Sequence, residues 1–162
     1  MLRQRILKYF LHYDPETGIW TRRRTTRYCV SGERADYRGS AGYHFVGFEG
    51  ETFSAHRLAW FYMTGKWPSR QVDHEDTDGS NNRWRNLRLA TPSQNACNKK
   101  IDARNTSGLK GVSWRPRAKK WTARITKDGQ AYDFGYFDTF EEAAIVRFCA
   151  ANLLHGEFAR HA

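Results

Sequence analysis

The residues between positions 71 and 98 constrain the fold more strongly than any other part of the chain. Gln71–His74 and Asn86–Ala90 are predicted to pair as two short strands, and the loop between them is long and polar. The sequence Thr91-Pro92-Ser93-Gln94 then supplies a threonine N-cap, a proline at the first helical position and the glutamine of a capping box. This stretch therefore predicts a strand, a loop, a second strand and a helix in succession.

Side chains suited to phosphodiester hydrolysis lie at fixed points of this stretch. His74 directly follows Asp73, Asn86 comes after eleven intervening residues, and Asn95 comes after eight more. Hydrolysis of a phosphodiester requires an activated water, a cation beside the developing charge and a fixed geometry. A neutral imidazole can take the proton of that water near neutral pH. One carboxylate and one amide oxygen form a hard partial shell that suits Mg²⁺ or Mn²⁺.

The order of these residues resembles the HNH nuclease motif. The resemblance extends to the Asp73-His74 pair, the Asn86-Leu87-Arg88 run and Ser93-Gln94-Asn95 followed by Asn98. It implies a ββα-metal finger in which Asp73 and Asn95 ligate one Mg²⁺ or Mn²⁺ ion and His74 is the general base. In the same resemblance Asn86 braces the loop that orients His74, and cleavage leaves 5′-phosphate and 3′-hydroxyl ends.

A simpler interpretation of the same residues is a surface loop. Asp-His pairs often lie in such loops, and Asn-rich stretches are often turns. The ordered spacing, the capping box and the flanking Asn-Leu-Arg sequence favour the catalytic interpretation.

The charge of the chain favours a polyanionic partner, which we take to be double-stranded DNA. The 162 residues carry a net charge of +10, and 40% are hydrophobic, enough for one or two small domains with a real core. No run of about twenty apolar residues predicts a transmembrane helix. The first residues lack the apolar core and the cleavage site of a signal peptide. We therefore expect a cytoplasmic protein of a bacterial host cell, not secreted and with no membrane partner.

Three cysteines, Cys29, Cys97 and Cys149, stand far apart in the sequence. An odd count without paired spacing argues against a disulfide framework and against a structural zinc site. We expect reduced cysteines.

The first 70 residues are predicted to form a scaffold of helix and hairpin. Arg3–Leu11 is predicted to be a helix, and Gly42–Phe48 a strand that pairs with Thr52–Ser54. A second helix is predicted to run from His56 to Gly65, where the glycine ends it. This region resembles the amino-terminal scaffold of phage-type HNH nucleases, and we interpret His56 as structural. Between these elements, residues 22–38 hold six arginines against two acids, which fits a solvated loop and a phosphate-contacting arm equally well.

A shift in charge marks a second region of the chain. Residues 104–127 contain eight Lys or Arg and no acid, whereas residues 128–157 contain six acids and one arginine. Three strands are predicted, Lys110–Arg115, Trp121–Thr126 and Ala131–Phe137, followed by a helix with Thr139 as its N-cap. The helix residues Phe140, Ala144, Phe148 and Ala151 are predicted to cover the sheet face that holds Trp121, Ala123 and Ile125.

The opposite sheet face is predicted to bind DNA, because a sheet with cations on one face can enter a major groove. An ordinary solvated face is the alternative. In this region the candidates for DNA contact are Lys110, Arg115, Arg117, Lys119 and Arg124. Three further candidates lie beside the nuclease motif, Arg83, Arg85 and Arg88. For these three, a solvated structural role is equally open.

The second region resembles the APETALA2-type DNA-binding domain of plant ethylene-response factors and mobile nucleases. The matching stretches are Gly108–Val112, Trp121–Ile125, Gly135–Ala144 and Leu154–Ala159. Ser113, Ala131 and Asp133 depart from the arginine and tryptophan that plant members tend to place on the DNA face, so base readout would depend mostly on the arginines.

Taken together, the sequence predicts an α+β protein. A ββα-metal finger on a small α/β scaffold is predicted within residues 1–100, a linker at 101–107, and a three-stranded antiparallel sheet packed on one helix at 108–160. The two resemblances imply a homing-type HNH endonuclease of phage or intron origin that nicks DNA or breaks both strands. A single motif copy predicts a monomer, with a dimer on DNA as the alternative. A non-catalytic DNA-binding regulator and a nuclease that acts on RNA remain open as other functions.

Overall fold

The computed structural model describes residues 2–160 and shows a mixed α+β protein with antiparallel sheets. The chain divides into two compact units, Met1–Ala90 and Thr91–Ala162. The predicted domains, with bounds at 100 and 108, place the helix after Thr91 in the first domain, whereas compactness groups that helix with the second unit. The bounds of the nuclease domain, the linker and the DNA-binding domain stay a prediction. None of the described helices is long and apolar enough to cross a membrane.

The first unit begins with a helix and two small sheets. Its elements up to residue 64 are α1 (Gln4–Phe10), β1 (Leu11–Tyr13), β2 (Trp20–Arg22), β3 (Asp36–Arg38), β4 (His44–Phe48), β5 (Glu51–Ser54) and α2 (Ala55–Thr64). β1 pairs with β2, and β4 lies between β3 and β5. Helix α2 ends at Gly65, whose φ of 74° is a left-handed conformation that glycine adopts without a steric cost.

Aromatic side chains form the core of this unit. Trp20 and Tyr13 are fully buried, and their rings meet that of Tyr62 from α2 at centroid distances of 5.4 and 5.8 Å. Leu7, Leu11 and Leu58 complete the packing from α1, β1 and α2. This core fixes α2 against the β1–β2 hairpin, so both can support the segment that follows.

The predicted hairpin and helix are present in the structure. β6 (Gln71–His74) pairs antiparallel with β7 (Leu87–Ala90), and a short 3₁₀ turn at Trp84–Asn86 precedes β7. In the second unit, α3 (Pro92–Asn98) starts with the predicted capping box: Thr91 accepts from the Gln94 amide, and Gln94 accepts from the Thr91 amide. Local sequence signals therefore predicted these elements correctly.

The second unit contains a three-stranded antiparallel sheet and a long helix, as predicted. The sheet consists of β8 (Val112–Arg115), β9 (Lys120–Lys127) and β10 (Gln130–Phe137), with β9 in the centre, and α4 (Phe140–His155) follows. Val112 and Ala123 pack with Ala143, and Ile125 packs with Ala150 and Ala151.

The buried face of α4 differs from the predicted one. Phe148 is 49% exposed, whereas Arg147 beside it is only 7% exposed. At about 100° per residue, the buried positions fall between about −80° and +20° around the axis from Phe140, and these are Ala143, Arg147, Ala150 and Ala151. Phe148 falls at about +80° and so lies outside the buried arc. The prediction for Phe148 was wrong, and an arginine occupies the inner face in its place.

Candidate active site

Asp73 and His74 lie at the end of β6 and are both buried. In the strand register Asp73 lies opposite Arg88 of β7, whose Nε donates to Asp73 Oδ2 at 3.0 Å. Adjacent strand residues point to opposite faces, so His74 faces away from this ion pair. A buried carboxylate and a buried imidazole thus stand on consecutive residues of one hairpin and point to opposite faces.

The imidazole of His74 has a defined partner. His74 Nε2 lies 3.0 Å from Oδ1 of Asn82, a residue that is 2% exposed. The amide nitrogen of Asn82 faces the carbonyl of Ser80 at 3.4 Å, which turns its oxygen toward the ring. Because an amide oxygen can only accept, Nε2 carries the proton and Nδ1 carries the lone pair of the neutral ring. The sequence interpretation missed Asn82, although it stands among the asparagines of the loop.

Asn86 spans the loop that joins the two strands. Its Nδ2 donates to Asp76 Oδ1 at 2.9 Å and to the Asn81 carbonyl at 2.8 Å, while its Oδ1 accepts from the Asp76 amide. Burial would raise the pKa of Asp76, but hydrogen bonds from Asn81, the Asp78 amide and Asn86 outweigh it and lower the pKa. Partly buried hydrogen bonds therefore hold the loop closed, and Asn86 lies at their centre.

Two further rings border His74. The ring of His56, from the first turn of α2, lies 5.0 Å from that of His74 in an edge-to-face arrangement, and Tyr43 lies 5.9 Å from His74. Burial, with smaller contributions from His74 and Arg57, lowers the pKa of His56 to about 3. A neutral His56 adds no charge beside the candidate base. The position of His56 in the sequence, ahead of the HNH motif, gave no sign that its ring meets that of His74.

The β1–β2 hairpin supports the same loop. The Tyr13 hydroxyl donates to the Asn82 carbonyl at 2.6 Å, and burial raises the pKa of Tyr13. At Gly18, with a φ of +75°, a Cβ would lie 2.4 Å from the backbone carbon of Asn82. The backbone of the loop thus approaches the hairpin as closely as glycine permits.

Asn95 lies in the first turn of α3 and is half-buried. It belongs to the second unit, whereas Asp73 belongs to the first. The described residues include no group of three or more His, Cys, Asp or Glu side chains arranged to hold a metal ion.

The predicted DNA contacts fall into two classes. Six are exposed, and these are Arg83, Arg85, Arg115, Arg117, Lys119 and Arg124. Two are engaged within the protein: Arg88 pairs with Asp73, and the ammonium of Lys110 donates to the carbonyls of Cys97 and Lys99. Only the exposed residues combine charge with access to a large ligand.

Comparison with known proteins identifies the family of this chain. The family model described as HNH endonuclease matches residues 53–97, which run from β5 through most of α3. Protein 3.8 of Escherichia phage T7 is 37% identical over 106 residues, covering 65% of this chain and 87% of the relative. A protein of Acanthamoeba polyphaga mimivirus, named as an uncharacterized HNH endonuclease, is 35% identical over 125 residues. That match covers 76% of this chain and 64% of the mimivirus protein, so the chain spans a little under two-thirds of that relative. No solved structure matches significantly. The chain belongs to the HNH endonuclease family and is a nuclease.

Proposed function

We propose that this nuclease is a divalent-metal-dependent endonuclease of the homing type, which nicks double-stranded DNA or breaks both strands at a preferred site. On this proposal it acts as a monomer in the cytoplasm of a bacterial host. The observation that carries the proposal is the buried hydrogen bond between His74 Nε2 and Asn82 Oδ1. It supplies an imidazole with a defined tautomer on the residue that follows a buried aspartate.

His74 acts as the general base. Its Nδ1 takes the proton of the attacking water, because the hydrogen bond to Asn82 keeps the other proton on Nε2. The imidazolium that forms retains this bond, and the amide dipole of Asn82 stabilises its charge. Asn86 keeps the loop in place through its contacts with Asp76 and Asn81. Arg88 balances the charge of Asp73 and so lowers the cost of burying that carboxylate.

Asp73 and Asn95 are the residues that would hold one Mg²⁺ or Mn²⁺ ion. The chemistry of the donor set fits such an ion, since a carboxylate and an amide oxygen are both hard ligands. When bound, the ion supplies electrostatic stabilisation of the charge that develops on the phosphate and on the leaving 3′ oxygen. The products would be 5′-phosphate and 3′-hydroxyl ends.

We also propose that residues 108–160 form an APETALA2-like DNA-binding domain, joined to a nuclease domain at 1–100 by residues 101–107. The three-stranded sheet with one helix packed on its inner face supports this assignment. Arg115, Arg117, Lys119 and Arg124 are exposed on the remaining sheet face and its turn, where they can reach phosphates or guanine edges. A tethered sheet of this kind would add site choice to a nuclease finger that contacts mainly backbone.

The nuclease mechanism is tested with supercoiled plasmid that carries the native flanking DNA, incubated with Mg²⁺ or Mn²⁺. We expect wild-type protein to nick the plasmid, EDTA to stop the reaction, and His74→Ala to cut at least about a hundredfold more slowly because the base is lost. His12→Ala is the matched control, since His12 is exposed on β1, and it should cut like wild type. Product kinetics would separate one-strand from two-strand cutting.

Two results would contradict this mechanism. If the protein binds this DNA but never cuts it with either metal, the non-catalytic regulator is the better description. If His74→Ala cuts at the wild-type rate, His74 is not the base.

A further inference from the structure

A cavity of about 810 Å³ lies within the second unit. Its walls come from α3, the segment after α3, β9 with the turn that follows it, and α4. The residues that line it include four with cationic side chains, Lys99, Lys100, Lys110 and Arg147, and two with acidic ones, Asp102 and Asp128. Arg124 also borders the cavity, but its side chain lies on the opposite face of the sheet from Ala123 and Ile125. Asp102 is already paired with Arg104, which leaves the lining with an excess of positive charge.

Arg147 is the unusual member of this lining. It is more than nine-tenths buried, yet its Nε and Nη1 have no hydrogen-bond partner among the described residues. Both nitrogens are also shielded from water. A buried charged donor without a partner is destabilising, and the ion itself adds a further desolvation cost. No acidic side chain of the described residues forms an ion pair with it.

The surrounding backbone is shaped around this guanidinium. A Cβ at Gly111, the residue before β8, would lie 2.1 Å from the Arg124 carbonyl oxygen and 2.8 Å from Arg147 Nε, so the backbone here passes both groups at a distance that only glycine allows. Lys110, the preceding residue, reaches the carbonyls at the end of α3. His155 of α4 lies 3.4 Å from the Cys97 sulfur. Ordered contacts therefore position Lys110, Cys97 and His155 around a cavity that is open to solvent.

We propose that this cavity binds an oxyanion of the phosphate class, with the guanidinium of Arg147 as its principal donor. A phosphate oxygen accepts from arginine N–H groups with short, charge-assisted bonds. Since Nε and Nη1 are shielded from water in this structure, the guanidinium must turn toward the cavity before these atoms can donate to the anion. The anion is either a phosphodiester of the DNA backbone or inorganic phosphate. The first source rests on the proposed DNA-binding function, and the second does not.

Inorganic phosphate is the first probe, applied to the full chain without DNA or metal. Melting temperatures are compared in phosphate and in chloride at equal ionic strength. We expect phosphate to raise the melting temperature of wild type and of Arg5→Gln, and to give no specific rise in Arg147→Gln. Arg5 is exposed on α1, so its variant removes the same charge from a helix outside the cavity. An equal phosphate effect in all three proteins would overturn the proposal.

A second readout covers the case in which Arg147→Gln does not fold. The Arg147 Nε–H signal of wild-type protein is followed by NMR during titration with phosphate or with chloride. A shift that saturates with phosphate alone supports the site, and a signal that phosphate does not move rejects it.

A DNA-binding experiment identifies the source of the anion. Duplex binding is measured in EDTA against salt concentration, with every protein carrying His74→Ala so that cleavage plays no part. If a phosphate of the DNA backbone occupies the cavity, Arg147→Gln binds the duplex about tenfold more weakly than Arg5→Gln. The slope of its log binding constant against log salt concentration is then also smaller in magnitude by about one. A loss equal to that of Arg5→Gln, together with a positive phosphate result, assigns the site to inorganic phosphate. Because the phosphate arm needs no cutting, failure of the site and failure of the nuclease mechanism are distinguishable.

Discussion

Asn82 is the residue that decides which nitrogen of His74 carries the lone pair. Its Oδ1 accepts from His74 Nε2, and its own amide nitrogen faces the Ser80 carbonyl. We expect Asn82→Ala to lower the cleavage rate about tenfold to a hundredfold, the range for loss of a partner that orients a histidine. The measurement is the single-turnover rate on plasmid, beside Asn152→Ala, an exposed asparagine on α4. A wild-type rate for a folded Asn82→Ala protein would show that the tautomer is fixed in another way.

At the scale of elements, the β1–β2 turn holds the catalytic loop from outside. Gly18→Ala places a Cβ 2.4 Å from the Asn82 backbone at a φ of +75°, whereas Gly32→Ala meets nothing within 4 Å at a φ of +89°. Both changes carry backbone strain of about 1–2 kcal/mol, and Gly18→Ala adds an overpacking cost of about 1–3 kcal/mol. We expect urea unfolding to show the larger loss for Gly18→Ala, and cleavage to fall only in that variant. Equal losses of stability would mean that the loop yields to the added methyl group.

At the scale of the whole molecule, a buried carboxylate links stability to pH. Asp36 accepts from the Trp20 amide, from Arg34 and from His44. Burial would raise the pKa of Asp36, but these hydrogen bonds outweigh it and lower the pKa. A carboxyl whose folded pKa is depressed stabilises the fold above its unfolded pKa of about 4, and this contribution is lost as pH falls through the folded value.

The corresponding variant is Asp36→Asn. We expect it to lose about 3 kcal/mol of unfolding free energy at neutral pH and to lose less than wild type on acidification below about pH 4. Glu51→Gln is the control, because Glu51 is exposed on β5. Chemical denaturation at several pH values measures both effects. Parallel pH profiles for wild type and Asp36→Asn would contradict the assigned role of Asp36.

The sequence by itself determined the elements that depend on neighbours along the chain. The capping boxes at Thr91 and Thr139 and the glycine end of α2 depend on contacts a few residues apart, which local sequence specifies. The strands around His74 are neighbours in the chain, joined by a single loop. The HNH motif belongs to the same class, since its spacing survives as a linear pattern. The family was therefore identifiable from the order of the residues alone.

Only the tertiary structure decided which side chains meet across distant segments. Asn82 and His56 contact His74 because a loop and α2 fold against β6, and no spacing in the sequence encodes either contact. Arg147 replaces Phe148 on the inner face of α4 because the exact helix rotation is set by packing, not by the apolar pattern. Lys110 turned inward for the same reason, since its ammonium satisfies carbonyls at the end of α3 that a linear sequence does not place beside it.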